Sequence, residues 1–505
     1  MNQKNRGIIL SYVNLLMGMV VNLLFTPALT VALGEVDYSL YKVMQSFAGP
    51  LSVFQLGIST VVTRSIVRAK NTDAYTETDK QNTIALSLIA SAAMAAIMML
   101  LGLAMHRSIP VLYGNTYSEA SLQTGQRMFA MYVTATILHM LTDVFSGCIL
   151  GHERYVVSAA VPLCKTVSKC MLMVVLLTCN FGALFVVTID LILAAGVFLF
   201  SAGYTFAILH EIPKLSCFDK GQLVEILSFG AAILLQAFVN QINNNVDTMI
   251  LGVYIEEKYI ITMYSSALTI YAIYNSLISV ITRYFVPQAT KLMTKNASGK
   301  ELTDFVIGPG RFQAVIAVAC IFGFTLFGRN FIAVWIGERY MDAYGVILLL
   351  MIPVTIPLVE NAVISILDAA MKRMYRSMVL VVMAVLNVIV SVWLVKRIGF
   401  WGAAAGTALS LLVGHGLLMN VYYAKTFRIE VFRMFREIFR GILPAGILSG
   451  LLCVPLVLFV PDTLPLLVVK CGCFGAVYCV LLYRIGLNDG EKGLIHATAK
   501  KLLRK

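Results

Sequence analysis

The chain has 505 residues, of which 59% are hydrophobic and 13% charged, and its mean hydropathy is +0.84. Soluble domains carry about 25% charged residues, so this composition excludes a water-soluble globule of this size. The formal net charge is +13, but the basic residues lie in short segments between apolar runs. That distribution favours membrane topology over nucleic-acid binding.

Apolar runs long enough to cross a bilayer recur from one end of the chain to the other. A transmembrane helix needs about 20 such residues. The first run follows Lys4 and Arg6 and is too long for a signal peptide, so we expect an uncleaved helix. The sequence predicts an all-α, polytopic membrane protein with fourteen transmembrane helices, at 7–33, 40–63, 82–106, 128–150, 155–178, 181–208, 223–251, 259–283, 312–335, 343–369, 377–396, 400–424, 441–460 and 464–484.

Lysine and arginine concentrate on one side of these predicted spans. That side includes Arg64, Arg68, the loop 291–300 and the C-terminal segment 489–505, whereas the other side holds scattered cations such as Lys42. Cytoplasmic loops carry the excess of positive charge in membrane proteins. We therefore expect a multi-pass membrane protein with both termini in the cytoplasm.

An internal repeat relates the two halves of the chain. The sequence Ile-Ser-Thr-Val-Val-Thr-Arg at 58–64 matches Ile-Ser-Val-Ile-Thr-Arg at 278–283, and Phe-Gly-Ala at 181–183 matches Trp-Gly-Ala at 401–403. Both matches have the same offset. The repeat predicts a six-helix half at 1–210, a second at 211–428, and two extra helices with a basic tail at 429–505. Six spans per half imply parallel repeats with a pathway between them.

Two lysines deep in the fifth span are the sharpest functional signal. Lys165 and Lys169 are four residues apart and share a helical face. They lie roughly 16 and 22 Å below Arg154, too deep for easy snorkelling. Asp143 in the fourth span is the nearest predicted partner, with His139 one turn higher. The pattern predicts an anion site in a water-filled cavity, or alternatively a structural Lys–Asp pair.

Amide side chains form a polar stripe in the seventh span. Such a stripe must face protein or water inside a bilayer, so it predicts either a cavity lining that binds sugar hydroxyls or interhelical packing. Tyr271 in the eighth span is a further candidate, because tyrosine rings stack on sugars. The stripe residues are Gln236, Asn240, Asn243, Asn244 and Asp247.

Two carboxylates are candidates for ion coupling. Glu360 follows Pro353 and Pro357, which loosen the tenth helix, and Asp247 lies on the amide stripe. A buried carboxylate favours its protonated form and could carry a proton, although a static ion pair is the alternative. Asp190 is set aside, because no polar stripe surrounds it in the sixth span.

Motifs for chemical catalysis are missing from the sequence. It has no nucleophile motif, no metal-ligand helix and no Gly-rich phosphate loop with Lys and Ser/Thr. We therefore expect no catalytic residues, no metal site and no bound cofactor, with a proton or sodium gradient as the candidate driving force.

Three segments carry a family resemblance. They are 244–252 (Asn-Asn-Val-Asp-Thr-Met-Ile-Leu-Gly), 285–292 (Phe-Val-Pro-Gln-Ala-Thr-Lys-Leu) and 398–407 (Ile-Gly-Phe-Trp-Gly-Ala-Ala-Ala-Gly-Thr). With the predicted fourteen spans, the chain resembles the multidrug/oligosaccharidyl-lipid/polysaccharide (MOP) superfamily of flippases, and its polysaccharide branch best. The resemblance implies a protein of the bacterial cytoplasmic (inner) membrane that moves undecaprenyl-diphosphate-linked oligosaccharides from the cytoplasmic to the periplasmic leaflet. This transport would serve O-antigen lipopolysaccharide or capsule synthesis, with polysaccharide polymerases as candidate partners.

Other functions remain open at this point. A multidrug exporter would offer acidic residues to cationic drugs, and the cavity candidates here are mixed in sign. A lipid II flippase is a second alternative, although the first-half spans lack a cluster of arginines. A glycan polymerase or ligase is disfavoured, because the longest external loop, 107–127, is short.

Overall fold

The computed structural model describes residues 3–55, 58–71, 77–179, 182–215, 240–279, 286–295, 297–370, 372–459, 461 and 463–493. All regular secondary structure within these ranges is helical, with no β-strand. The predicted all-α fold of a multi-pass membrane protein is therefore confirmed.

Eight helices lie between residues 3 and 279 within the described residues. They are α1 (Gln3–Ala48), α2 (Ile58–Asn71), α3 (Glu77–Tyr113), α4 (Glu119–Gly151), α5 (Tyr155–Cys179), α6 (Ala183–Ala207), α7 (240–254) and α8 (Lys258–Ser279).

Ten further helices follow. They are α9 (Val286–Thr294), α10 (Gly299–Trp335), α11 (Ala343–Val359), α12 (Asn361–Ala369), α13 (Arg373–Ile398), α14 (Phe400–Leu411), α15 (Asn420–Phe427), α16 (Val431–Phe439), α17 (Ile442–Phe459) and α18 (Leu464–Leu481). A π-helical segment, Leu412–Met419, joins α14 to α15.

By length and composition, ten helices in the described ranges can cross a membrane, or eleven if the bent pair α11–α12 is one span. One of the ten is the stretch Ile9–Ala69, whose 61 residues are far more than the about 20 that one crossing needs. Gly34 interrupts it with φ 72° and ψ 170°, between the first and second predicted spans. The total of fourteen spans stays a prediction.

The chain folds into two compact units, residues 1–265 and 266–505. In the first unit, α4 packs against α2, α3 and α6, while α1 packs mainly against α5. Gly147 allows the close approach of α4 to α2, because a Cβ there would lie 2.7 Å from the carbonyl oxygen of Ser59. Larger residues would force these helices apart.

Helix α7 belongs to the first unit through direct polar contacts. Gln241 Nε2 donates to Ser52 Oγ at 2.8 Å, and Thr116 Oγ1 donates to the carbonyl oxygen of Gly252 at 2.7 Å. These contacts explain why this unit extends to residue 265. The domain limits predicted from the repeat, at 210 and 428, concern internal symmetry and stay predictions.

In the second unit the 37-residue helix α10 is the central element, with α11, α16, α17 and α18 packed along it. Arg311 of α10 is 2% exposed. Its guanidinium donates to both carboxylate oxygens of Glu491 and to the carbonyl oxygens of Gly486, Glu437 and Arg440, at 2.6–3.0 Å. One side chain thus ties together α10, the end of α16 and the segment that follows α18.

Candidate functional site

A cluster of charged side chains lies between α1, α4, α5 and α6 of the first unit. Lys169 of α5 forms an ion pair with Asp190 of α6, with Nζ and Oδ1 2.7 Å apart. The hairpin of α5 and α6 explains this pairing. Lys169 lies ten residues before the end of α5 and Asp190 seven residues after the start of α6, roughly 15 and 10 Å from the turn.

Lys165, one turn earlier on the same face of α5, contacts His139 of α4. Its Nζ lies 2.9 Å from His139 Nε2. A lysine ammonium has donors only, so His139 accepts this hydrogen bond with a neutral ring that carries its proton on Nδ1. The imidazole therefore solvates Lys165 without neutralising its charge.

Lys42 of α1 is a third member of the cluster, and the sequence interpretation missed it. The second predicted span puts Lys42 at its outer end, whereas α1 resumes after Gly34 and continues to Ala48, so that Lys42 lies about two turns inside the helix. Its Nζ lies 5.5 and 5.4 Å from the ring centroids of Tyr38 and Tyr41, a cation–π arrangement. It also interacts electrostatically with Lys169 and Asp190. The sequence signal for this interaction was the spacing of Tyr38 and Lys42, which are one helical turn apart.

Asp143 was predicted to be the acidic partner of the two lysines, and that prediction is wrong. Asp143 is half-buried on α4, and within the described residues no ion pair joins it to either lysine; Asp190 takes that role. The reason is that α5 and α6 are successive antiparallel helices, which places Asp190 beside Lys169. We define the lysine cluster as Lys42, His139, Lys165, Lys169 and Asp190. Three lysines and one aspartate give it a formal charge of +2 with neutral His139.

A hydrogen bond fixes the face of α5 that presents the lysines. Thr166 Oγ1 donates to Asn14 Oδ1 of α1 at 2.9 Å. Since α1 also supplies Lys42, this bond joins the two helices that carry the three ammonium groups. The arrangement can bind an anion with two or more negative charges, because ammonium groups form strong charge-assisted hydrogen bonds to phosphate oxygens.

The amide stripe only partly follows the predicted pattern. Asn240 and Asn244 are exposed, whereas Asn243 is half-buried and Asp247 is 3% exposed. Tyr264 donates from its hydroxyl to Asp247 Oδ2 at 2.7 Å. Gln236 lies outside the described residues, and Tyr271 on α8 is half-buried.

Neighbouring amides, which the sequence interpretation did not select, make the packing contacts of α7. Asn245 Nδ2 donates to Gln241 Oε1 at 3.1 Å, and Gln241 reaches Ser52. Of the predicted stripe, Asn240 and Asn244 therefore remain available for a ligand.

Glu360 lies where α11 breaks into α12, with a bend of 42° between the two helices. Pro353 and Pro357 lie within α11, and each removes a backbone donor. Glu360 is 1% exposed and its Oε1 accepts a hydrogen bond of 2.6 Å from Asn420 Nδ2, at the end of the π-helical segment. Its other oxygen has no hydrogen-bond partner in the described part of the chain. Within the described ranges, Glu360 is therefore a buried carboxylate without a cationic partner at hydrogen-bond distance.

A second ion-pair cluster, which we call the clasp, lies at the ends of α3, α4 and α6. Lys80 Nζ and His152 Nε2 lie 2.6 and 3.0 Å from Glu211 Oε1, and Glu77 lies 2.6 Å from Lys80. Burial alone would raise the pKa of Glu211, but hydrogen bonds from His152 and Lys80 outweigh it, so that the pKa falls below its usual value. The Lys80–Glu211 pair of the clasp is buried, unlike the ion pair of the lysine cluster.

Solved structures with a similar fold are membrane transporters. The lipid II flippase MurJ, in an inward closed conformation, aligns with a TM-score of 0.71 at 12% identity, covering 95% of this chain and 98% of that one. A multidrug resistance MATE family transporter of the MOP superfamily, in an inward-facing conformation, aligns with a TM-score of 0.63 at 13% identity, covering 86% and 99%. The Vibrio cholerae MATE transporter VcmN gives 0.54 at 10%, covering 85% and 98%.

At these identities the similarity concerns the fold alone. A search of curated protein sequences returns no significant match. The model of the family described as "Polysaccharide biosynthesis protein" matches residues 5–293. Because this match covers more than half of the chain, the protein belongs to the polysaccharide biosynthesis protein family, with a fold similar to that of a solved transporter of the MOP superfamily.

Proposed function

We propose that the protein is a flippase that moves undecaprenyl-diphosphate-linked oligosaccharides, the repeat units of O-antigen or capsule, from the cytoplasmic to the periplasmic leaflet of the bacterial inner membrane. It would do so by alternating access, with both termini in the cytoplasm. The observation that carries the proposal is the lysine cluster, whose formal charge of +2 lies inside the helical bundle of the first unit.

A diphosphate diester is the anion that suits this charge. It carries two negative charges, so its binding would neutralise the cluster. A single charge at the bilayer centre costs about 2.5–3.5 kcal/mol on insertion scales, which makes a neutral complex far easier to move than the free anion. Lys165 and Lys169, one helical turn apart, would contact the two phosphates, and Lys42 would add attraction from α1.

The sugar chain needs hydroxyl partners rather than charge. Asn240 and Asn244 are exposed on α7, and their amides can both donate to and accept from hydroxyl groups. We propose that they contact the oligosaccharide while the lipid tail stays in the bilayer. Tyr271 of α8 is a separate candidate for stacking on a sugar ring.

Ion coupling is proposed for the two buried carboxylates. Glu360 has one oxygen held by Asn420 and the other without a partner in the described residues, an environment in which uptake of a proton removes the cost of a buried charge. Asp247, held by Tyr264, is the second candidate. A proton or sodium gradient would then drive the transport cycle.

A lipid II flippase is the second candidate function, because the similarity to such a flippase spans 95% of the chain and lipid II also carries a diphosphate. The family match favours the polysaccharide substrate. Export of cationic drugs is disfavoured, because the excess charge of the lysine cluster would repel them.

Flipping of a fluorescent lipid-linked oligosaccharide in reconstituted vesicles tests the proposal. Lys165→Ala and Lys169→Ala should each reduce the rate at least about tenfold, since each removes a charge-assisted contact of about 1.5–3 kcal/mol, and arginine at either position should restore part of it. Lys425→Ala, which removes an exposed charge from α15, is the matched control. Wild-type rates in both alanine variants would exclude this site, and faster flipping of lipid II than of the oligosaccharide would favour the second candidate.

A further inference from the structure

The ion pair of Lys169 and Asp190 is open, in contrast to the structural ion pair of the clasp. The side chains of Lys169 and Asp190 are 31% and 19% exposed, whereas those of Lys80 and Glu211 are 9% and 4% exposed. Charged side chains within membrane spans avoid lipid and face a partner or water. The exposed surface of the pair is therefore the surface that a polar ligand can reach.

Among the described residues, Asp190 is also the one carboxylate that lies near the three lysines. It contacts Lys169 directly and interacts electrostatically with Lys42, Lys165 and His139. A carboxylate and a phosphate present the same kind of acceptor to an ammonium group. Asp190 consequently occupies a position that an anionic headgroup would take, and its charge opposes that headgroup.

We infer that Asp190 is a built-in competitor for the anionic headgroup: it holds Lys169 in the empty protein, and a diphosphate displaces it from that ammonium group on binding. This inference rests on the proposed function and adds a residue that limits affinity. The displaced carboxylate stays beside the bound diphosphate, and repulsion between them favours release.

A competitor of this kind weakens binding of the headgroup and speeds its release. With Asp190 neutral, the cluster would hold a charge of +3 and would bind a diphosphate more tightly than the native +2. Because differences in affinity between related complexes arise mostly in the dissociation rate, the tighter complex would release its ligand more slowly.

The test uses the full-length protein in lipid nanodiscs and a water-soluble short-chain prenyl diphosphate as probe. Asp190→Asn and Asp190→Ser should bind the probe about tenfold more tightly, a modest fraction of what unit charges a few ångström apart provide near a protein surface. Both should flip the oligosaccharide more slowly at saturating substrate. Asp190→Glu, which keeps the carboxylate, should behave like wild type. Glu211→Gln is the matched control, because it neutralises the acid of the sealed pair and should leave probe affinity unchanged.

Equal or weaker probe binding in the two neutral variants would overturn the inference. So would the failure of both to fold while Asp190→Glu folds normally, since the pair would then be a structural bridge. Lys169→Ala separates this outcome from failure of the proposed function. If Lys169→Ala loses the probe while Asp190→Asn binds it no better than wild type, only the inference fails; if Lys169→Ala binds as well as wild type, the proposed site fails as well.

Discussion

Removal of the Glu211 carboxylate should destabilise the first unit, and the contacts of the clasp give the expected free-energy cost. In Glu211→Ala, Lys80 and His152 lose an acceptor at 2.6 and 3.0 Å at a site where the acid is 3% exposed. Breaking a buried pair by deleting one partner costs about 3–5 kcal/mol. Because Glu77 still contacts Lys80, we expect the lower end of that range, about 3 kcal/mol.

Thermal unfolding of the purified protein in detergent measures this cost. A loss of about 3 kcal/mol corresponds to a decrease in Tm of roughly 6–12 °C for a unit of this size. The control is Asp304→Ala, which removes an exposed partner of Arg433 and should cost less than about 1 kcal/mol. A Glu211→Ala melting point within about 1 °C of wild type would refute the assignment of the clasp as a structural ion pair.

The pH dependence has a defined sign. The pKa of folded Glu211 lies below its usual value, so its contribution is present above the unfolded pKa of about 4.3 and is lost as the pH falls through the folded pKa. The difference in Tm between wild type and Glu211→Ala should therefore shrink as the pH falls below about 4. A difference that grows below that pH would contradict this reasoning.

Three further predictions concern other parts of the chain. Lys42→Gln should slow vesicle flipping several-fold while Lys42→Arg should not, because the charge and not the hydrogen-bond geometry of this residue acts on the cluster; equal rates would remove Lys42 from the site. Arg311→Leu should cost about 3–5 kcal/mol and speed proteolysis after residue 486, as measured by limited digestion, because it leaves Glu491 without its partner. Glu360→Gln or Asp247→Asn should abolish the dependence of transport on the ion gradient with normal thermal stability, and unchanged dependence in both would exclude them as coupling residues.

Helix identity and the lysine face could be predicted from sequence alone. Hydropathy defines helical spans because a bilayer leaves backbone groups no other partners, and the spacing of Lys165 and Lys169 fixes their common face. Asp190 has no polar stripe around it along its own helix, so the periodicity of that helix does not select it. Only three residues separate the end of α5 from the start of α6 in the sequence, so the distances of Lys169 and Asp190 from these two helix ends already predict comparable depths and a possible pairing.

Tertiary packing determines which amides of α7 are buried, and helical periodicity alone does not predict this. Gln241 and Asn245 pack against the region of Ser52 and Gly49, while Asn240 and Asn244 stay exposed; a helical stripe of amides does not indicate which side of it meets a neighbour. The depth of Lys42 was missed for a related reason. The second predicted span begins at residue 40 and puts Lys42 at its outer end, whereas the helix already resumes after the kink at Gly34, about two turns before Lys42.

The bonding of Arg311 has a practical consequence for spectroscopy. The guanidinium donates all of its hydrogen bonds to α16, to the residue after α16 and to the segment after α18. These bonds hold one end of each of the last two spanning helices against α10. A fluorescent or spin label attached at Lys492, directly after Glu491, would therefore inherit the motion of α10. Such a label would provide a reference position on the second unit, and the movement of labels at other sites could be measured relative to it.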